Sequence, residues 1–234
     1  MRFQEFCVRQ IKNALDLDLT DEQLESGPFK HALRVGLVRA YAETYYLRAQ
    51  RCEFRFEDRN YGANRILGAH EVWTSLLCSE KAYKRCDSME DRDYDKKKRV
   101  CYEHIEPADF VYEKLVALNG KKTSEVKIKR ILDRCKLVVM TKEEMDYLDK
   151  NPHTSFTEKD EELIEQWHEE GFISARIKNE ALANMEGSTK ISGTAHARLA
   201  HLVNKGVRFR WDKRPDLGGG ALIAAYLKDH SHNI

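Results

Sequence analysis

The chain has 234 residues, of which 41% are hydrophobic and 34% charged, with a net charge of +1 at neutral pH. That length suits one large domain or two small ones with a sizeable core, and the charge content exceeds the usual quarter. A balance so near neutrality excludes a global field for polyanions, so any basic surface must be local.

No window approaches the roughly 18 apolar residues of a membrane span. The N-terminus Met1-Arg2-Phe3-Gln4-Glu5 has no apolar leader core, so the expected location is cytoplasmic. Cysteines at 7, 52, 78, 86, 101 and 135 form no Cys-x-x-Cys pair. Reduced thiols are expected. A zinc set of Cys78, Cys86, Cys101 and His104 has spacings that match no familiar module.

From the N-terminus, Phe3, Phe6, Cys7, Ile11, Ala14 and Leu15 recur at helical spacing over 3–17. Thr20-Asp21-Glu22-Gln23 reads as a capping box opening a short second helix, ended by Gly27-Pro28. A longer helix is expected from Phe29 to Arg51, and another over 61–86 through Ile66, Trp73, Leu76 and Leu77. Tyr41, Tyr45, Tyr46, Phe54, Phe56 and Tyr61 interleave with Arg48, Arg51, Arg55, Arg59 and Arg65. Such a pattern can stack bases, but core aromatics with outward arginines are favoured. The charged run 87–99 reads as a loop.

From Arg99 the pattern becomes strand, two helices, strand, helix. Arg99–His104 and Lys136–Met140 are the strands, Ala108–Leu118 and Ser124–Arg134 the helices between them, and Thr141 opens the last helix. Beyond Pro152, helices are expected over Glu158–Glu170, Ile173–Met185 and Ala195–Asn204. An alternating strand through Val207, Phe209 and Trp211 follows, then a Gly218-Gly219-Gly220 joint and a final helix. The expected fold is mainly α with a small β component. Its parts are a helical region 1–98, a ββα-like centre 99–151 and a helical region 152–234. The last contains a winged helix, with Thr194, His196, Arg198 and His201 on a reading helix and Arg208 or Arg210 on a wing, or a plain helix–strand unit.

The chemically richest stretch is Cys101-Tyr102-Glu103-His104-Ile105-Glu106-Pro107. A carboxylate beside a histidine at a strand end can hold a hard divalent cation and deprotonate water. Glu103-His104, Pro107 and the later strand running into a helix together resemble the HNH, or ββα-metal, endonuclease family over residues 99–150. The resemblance implies His104 as general base, Glu103 as metal ligand with Glu143 or Glu144 completing the site, and Mg²⁺ or Mn²⁺ as cofactor. It departs from the family in its two intervening helices, its missing orienting asparagine and its missing helix histidine. Thr141-Lys142-Glu143-Glu144 also reads simply as a capping box.

Two basic runs point to a nucleic-acid partner, with DNA favoured over RNA. Lys97 and Lys98 belong to one; Lys122, Lys127, Lys129 and Arg130 belong to the other. The solvated helix face is the plain alternative. The function expected is thus a metal-dependent endonuclease acting on nucleic acid, or else a non-enzymatic protein that binds nucleic acid or another protein.

Overall fold

The computed structural model describes residues 3–42, 76–87, 100–149, 155–185 and 193–228. Most of the aromatic–arginine segment, the run holding Lys97 and Lys98, the 187–189 break and the C-terminal tail lie outside these residues. The fold is mainly helical with a small sheet, as composition and periodicity predict. No helix among the described residues is long and apolar enough to cross a membrane.

The chain divides into two compact units. The first comprises Met1–Arg51 and Glu106–Lys136, the second Cys52–Ile105 and Leu137–Ile234. The three consecutive segments expected from sequence are therefore replaced by an interleaved pair, and the 99–151 segment is shared between them.

In the first unit, α1 (Phe3–Leu15) buries Cys7, Val8, Ile11 and Leu15 on one face. Burial pushes the Cys7 thiol up to about 11, so it behaves as a small core hydrophobe. Next comes α2 (Asp21–Glu25), with the capping box the sequence predicts: Gln23 N–H donates to Thr20 Oγ1 at 3.3 Å and Thr20 N–H to Gln23 Oε1 at 2.9 Å. Gly27-Pro28 opens a helix as well as ending one. Pro28 sits in the first turn of α3 (Gly27–His31), where its missing N–H has no intrahelical acceptor to lose. α3 runs on into a π-helix, Ala32–Arg39.

The same unit takes α5 (Ala108–Val116) and α6 (Glu125–Leu132) from later in the chain. Ile11, Leu15, Leu33, Val38, Val111, Leu115, Ile128 and Leu132 form its core. Each such buried side chain contributes roughly 1.5–3 kcal/mol. Polar ties are internal too. Tyr112 Oη donates to Leu24 O at 2.6 Å, and Tyr41 Oη to Asp133 Oδ1 at 2.6 Å. Gly120, at φ +66, lies so close to the Asp18 carboxylate that a Cβ would overlap it.

The second unit carries β1 (Leu77–Ser79), α4 (Glu80–Asp87), β2 (Val100–His104), β3 (Leu137–Thr141), α7 (Lys142–Asp149), α8 (Glu158–Glu169), α9 (Ala175–Met185), α10 (Ala195–Asn204), β4 (Phe209–Arg210) and α11 (Gly219–Lys228). Its strands order as β2-β3-β1-β4, with β2/β3 antiparallel, β3/β1 parallel and β1/β4 antiparallel. β1 corrects the sequence reading, which ran a helix through 61–86. Ser79 ends the strand and caps the next helix, its Oγ accepting the Ala82 N–H at 3.1 Å.

α10 is the central helix of this unit. Ala195, Ala197, Arg198, Leu199, Ala200, His201 and Leu202 are all buried on it. With Arg198 and His201 buried, this helix cannot present them to a DNA groove, and β4 is hydrogen-bonded into the sheet through Cys78↔Arg210 and Ser79↔Phe209. The winged-helix option therefore gives way to the helix–strand packing unit. The glycine run is likewise no loose joint. Gly219 sits at φ +52, and a Cβ on Gly220 would lie 2.5 Å from the Trp167 ring. Only glycine lets the first turn of α11 approach α8 so closely.

Candidate functional site

Strand register decides whether the expected metal centre exists. In the β2/β3 pair, His104 faces Leu137 and Glu103 faces Val138, whereas Thr141, which precedes α7, faces Val100. Four residue steps separate Leu137 from Thr141, about 13 Å at ~3.3 Å per residue. Glu103 and His104 therefore stand at one end of the strand pair, with Glu143 and Glu144 at the other. Oxygen ligands of one Mg²⁺ or Mn²⁺ ion must all lie roughly 2–2.6 Å from it.

Each of the four residues also has its own local role. Glu103 pairs with the guanidinium of Arg198, Oε1 to Nη2 at 3.3 Å. Arg198, itself 1% exposed, donates from Nη1 to His104 O at 2.9 Å and Ile105 O at 3.1 Å. It thus closes the end of β2 onto α10. A buried guanidinium left without acceptors would be costly, and these three acceptors take both of its terminal nitrogens. His104 does end a strand, but it is 5% exposed, so its ring is not the solvent-facing base the resemblance implies.

Glu144 is a capping residue. Its Oε2 accepts from Thr141 N–H at 2.8 Å and from Ser79 Oγ at 2.6 Å, while its own N–H donates to Thr141 Oγ1 at 3.2 Å. One buried carboxylate oxygen thereby joins the start of α7 to the end of β1. Glu143 is exposed and bridges Lys81 and Arg85, each at 2.9 Å. The Lys81 ammonium, and then Arg85, hold its carboxyl below the usual carboxylate range. These residues do not fit a shared metal ion. Among the described residues no group of three or more His, Cys, Asp and Glu side chains could hold one. The side chains of Cys86 and Cys101, half of the alternative zinc set, lie outside the described residues.

Sequence reasoning overlooked a second polar cluster. Asp160 is wholly buried on α8, and its Oδ2 accepts from Thr157 N–H at 2.8 Å and from His201 Nδ1 at 2.9 Å. Its Oδ1 accepts from Asn204 Nδ2 at 2.9 Å. Burial alone would raise this carboxyl, but the hydrogen bonds from His201, Thr157 and Asn204 outweigh it and hold it below the ordinary value. A carboxylate can only accept, so His201 carries its proton on Nδ1. The ring's Nε2 is sealed with no hydrogen-bond partner among the described residues, and Phe156 lies edge-on, centroids 6.0 Å apart. An imidazole with no access to solvent cannot serve a substrate, so the pair locks α8 to α10. The signal was present in the Thr157-x-x-Asp160 capping pattern and in the His201/Asn204 spacing of three.

The basic residues of the first unit divide into two kinds. Arg9 pairs with Glu125 at 3.7 Å, Lys30 with Glu25 at 2.7 Å and Arg134 with Glu106 at 2.8 Å. Lys129 pairs with Asp133 at 2.9 Å, which draws it out of the expected contact set. Lys122, Lys127 and Arg130 are different. All three are exposed and none has an ion pair among the described residues. Lys127 and Arg130 are adjacent on α6 at i, i+3, and Lys122 lies two residues before its N-cap, Ser124. Val126, 59% exposed, stands beside them.

Comparison with known proteins finds no matching family model, no matching curated protein and no matching solved structure.

Proposed function

We propose that this chain is a non-enzymatic nucleic-acid-binding protein that contacts the phosphate backbone through the exposed face of α6 and the loop before it. The observation that carries this reading is the contrast within one unit. Cations such as Arg9, Lys30, Lys129 and Arg134 are neutralised by their own carboxylates, whereas Lys122, Lys127 and Arg130 project together without one. Phosphate neutralisation by such side chains supplies most of the affinity for nucleic acid. Contacts from such side chains to phosphate carry no sequence information, so they fit backbone binding with little sequence preference.

The metal-dependent endonuclease implied by the resemblance is not carried into this reading. It requires Glu103, His104 and a helix carboxylate around one ion, and register separates them. The test is binding of a labelled 20-base-pair duplex by the wild type and by Lys122→Glu/Lys127→Glu/Arg130→Glu, with and without Mg²⁺. Salt-dependent binding by the wild type, lost in the variant and accompanied by no cleavage, is the expected result. Binding indifferent to the three reversals would overturn the assignment of the surface.

A further inference from the structure

We propose that two copies of this chain associate through the exposed face of α1, pairing antiparallel about a two-fold axis. Phe6, Gln10, Asn13 and Leu17 are all exposed. Their spacings of four, three and four set them on one stripe, the seam that two helices share in a coiled coil. Asp16 N–H donates to Lys12 O at 2.9 Å and Leu17 N–H to Ala14 O at 3.3 Å, so the winding carries Leu17 past the end of α1 into line with the others. Asp18, at φ +50, then turns the chain away. Asn119 fixes the exit, accepting from Leu19 N–H at 3.1 Å and donating to Leu19 O at 2.7 Å. At the other end Phe3 lies beside Phe6, ring centroids 6.0 Å apart.

The make-up of the stripe marks it as a contact. Four large hydrophobic side chains are exposed among the described residues, and two of them, Phe6 at 40% and Leu17 at 69%, end this one stripe. Between them stand two neutral amides, and neither Gln10 nor Asn13 has a side-chain hydrogen bond among the described residues. In a chain with 34% charged residues, the seam carries no charge at all. The charges beside it are balanced within one copy, Arg9 by Glu125 at 3.7 Å and Lys12 by Asp16, so nothing there repels a second copy.

Self-complementarity identifies the partner. A two-fold axis midway between Gln10 and Asn13 sets Phe6 of one copy against Leu17 of the other, and Gln10 against Asn13. Apolar groups then meet at both ends, and amides that each donate and accept meet at the centre. A polar pair in such a seam fixes register and orientation at some cost in stability. The same reversal brings Arg9 alongside Asp16 of the second copy, with opposite charges on one edge, whereas a parallel pairing would set that edge against Ala14. A contact made by one short helix falls below the roughly 1,200 Å² of a standard interface, so the dimer is weak and concentration-dependent.

The experiment is sedimentation equilibrium of the full chain, free of nucleic acid, from about 1 μM to 1 mM. The wild type should show a monomer–dimer equilibrium. Phe6→Glu and Leu17→Lys should each raise the dimer Kd at least about tenfold. Mixed together, these two variants should associate more tightly than either does with itself, because the antiparallel register brings the introduced charges into contact. Tyr147→Glu, which alters an exposed aromatic residue of the second unit, should leave the equilibrium unchanged. Circular dichroism confirms that each variant is folded. A wild type that stays monomeric throughout, a dimer indifferent to both α1 variants, a mixture no tighter than its components, or equal loss in Tyr147→Glu would overturn the proposal.

Discussion

Replacing Glu144 by alanine tests whether this carboxylate is a cap or a catalytic ligand. Its Oε2 accepts from two buried donors, Thr141 N–H and Ser79 Oγ, and the residue is 6% exposed. Losing a helix cap costs about 0.5–2 kcal/mol. Leaving buried donors unsatisfied adds roughly 1–3 kcal/mol. Since the two overlap at Thr141 N–H, a total near 2–4 kcal/mol is expected. Glu144→Gln keeps an acceptor oxygen and should lose less than half of that. Urea denaturation followed by tryptophan fluorescence reports on the second unit, where Trp167 and Trp211 are core residues. With a slope of about 2 kcal/mol per molar, the alanine midpoint should fall by roughly 1–2 M. Adding Mg²⁺ should change neither protein. An alanine variant within about 0.5 kcal/mol of wild type, or a wild type stabilised by Mg²⁺ through Glu144, would refute the capping role.

Two further outcomes follow from the buried polar groups. Arg198→Met removes the donors to His104 O and Ile105 O and the ion pair with Glu103, so chemical denaturation should show a loss of about 3–5 kcal/mol. The folded-state pKa of Asp160 is depressed, so its contribution to stability is present above the unfolded value of about 3.9 and is lost as pH falls through the lower folded value. Thermal melts between pH 6 and pH 2 should therefore show part of the acid destabilisation below about pH 4 abolished in Asp160→Asn, and an unchanged profile would contradict the assignment.

What the sequence disclosed, and what it hid, follows from the range of the interactions. Local devices were readable: the Thr20/Gln23 box, the amphipathic period of α1, the Thr141/Glu144 box and the strands at Val100–His104 and Leu137–Thr141. Register was not. Nothing in Glu103-His104 or Glu143-Glu144 says which end of an antiparallel pair each will occupy, and the two intervening helices join a different unit. Leu77–Ser79 was misread because a three-residue apolar strand also satisfies helical spacing. The burial of α10 was hidden because Arg198 and His201 look like surface residues until Glu103, the β2 carbonyls and Asp160 are seen to satisfy them. Ion pairing likewise separates Lys129 from Lys127 and Arg130, which sequence treats as equivalent.

The most direct measurement of the central claim is the salt dependence of duplex DNA affinity, read by fluorescence anisotropy in EDTA for the wild type and Lys122→Glu/Lys127→Glu/Arg130→Glu. Each phosphate contact contributes about 0.9 to the slope of log K against log salt. Metal-free binding by the wild type, with a slope shallower by roughly 2–3 in the variant, is the predicted result. Affinity that requires a divalent ion, or a slope the three reversals leave unchanged, would contradict it.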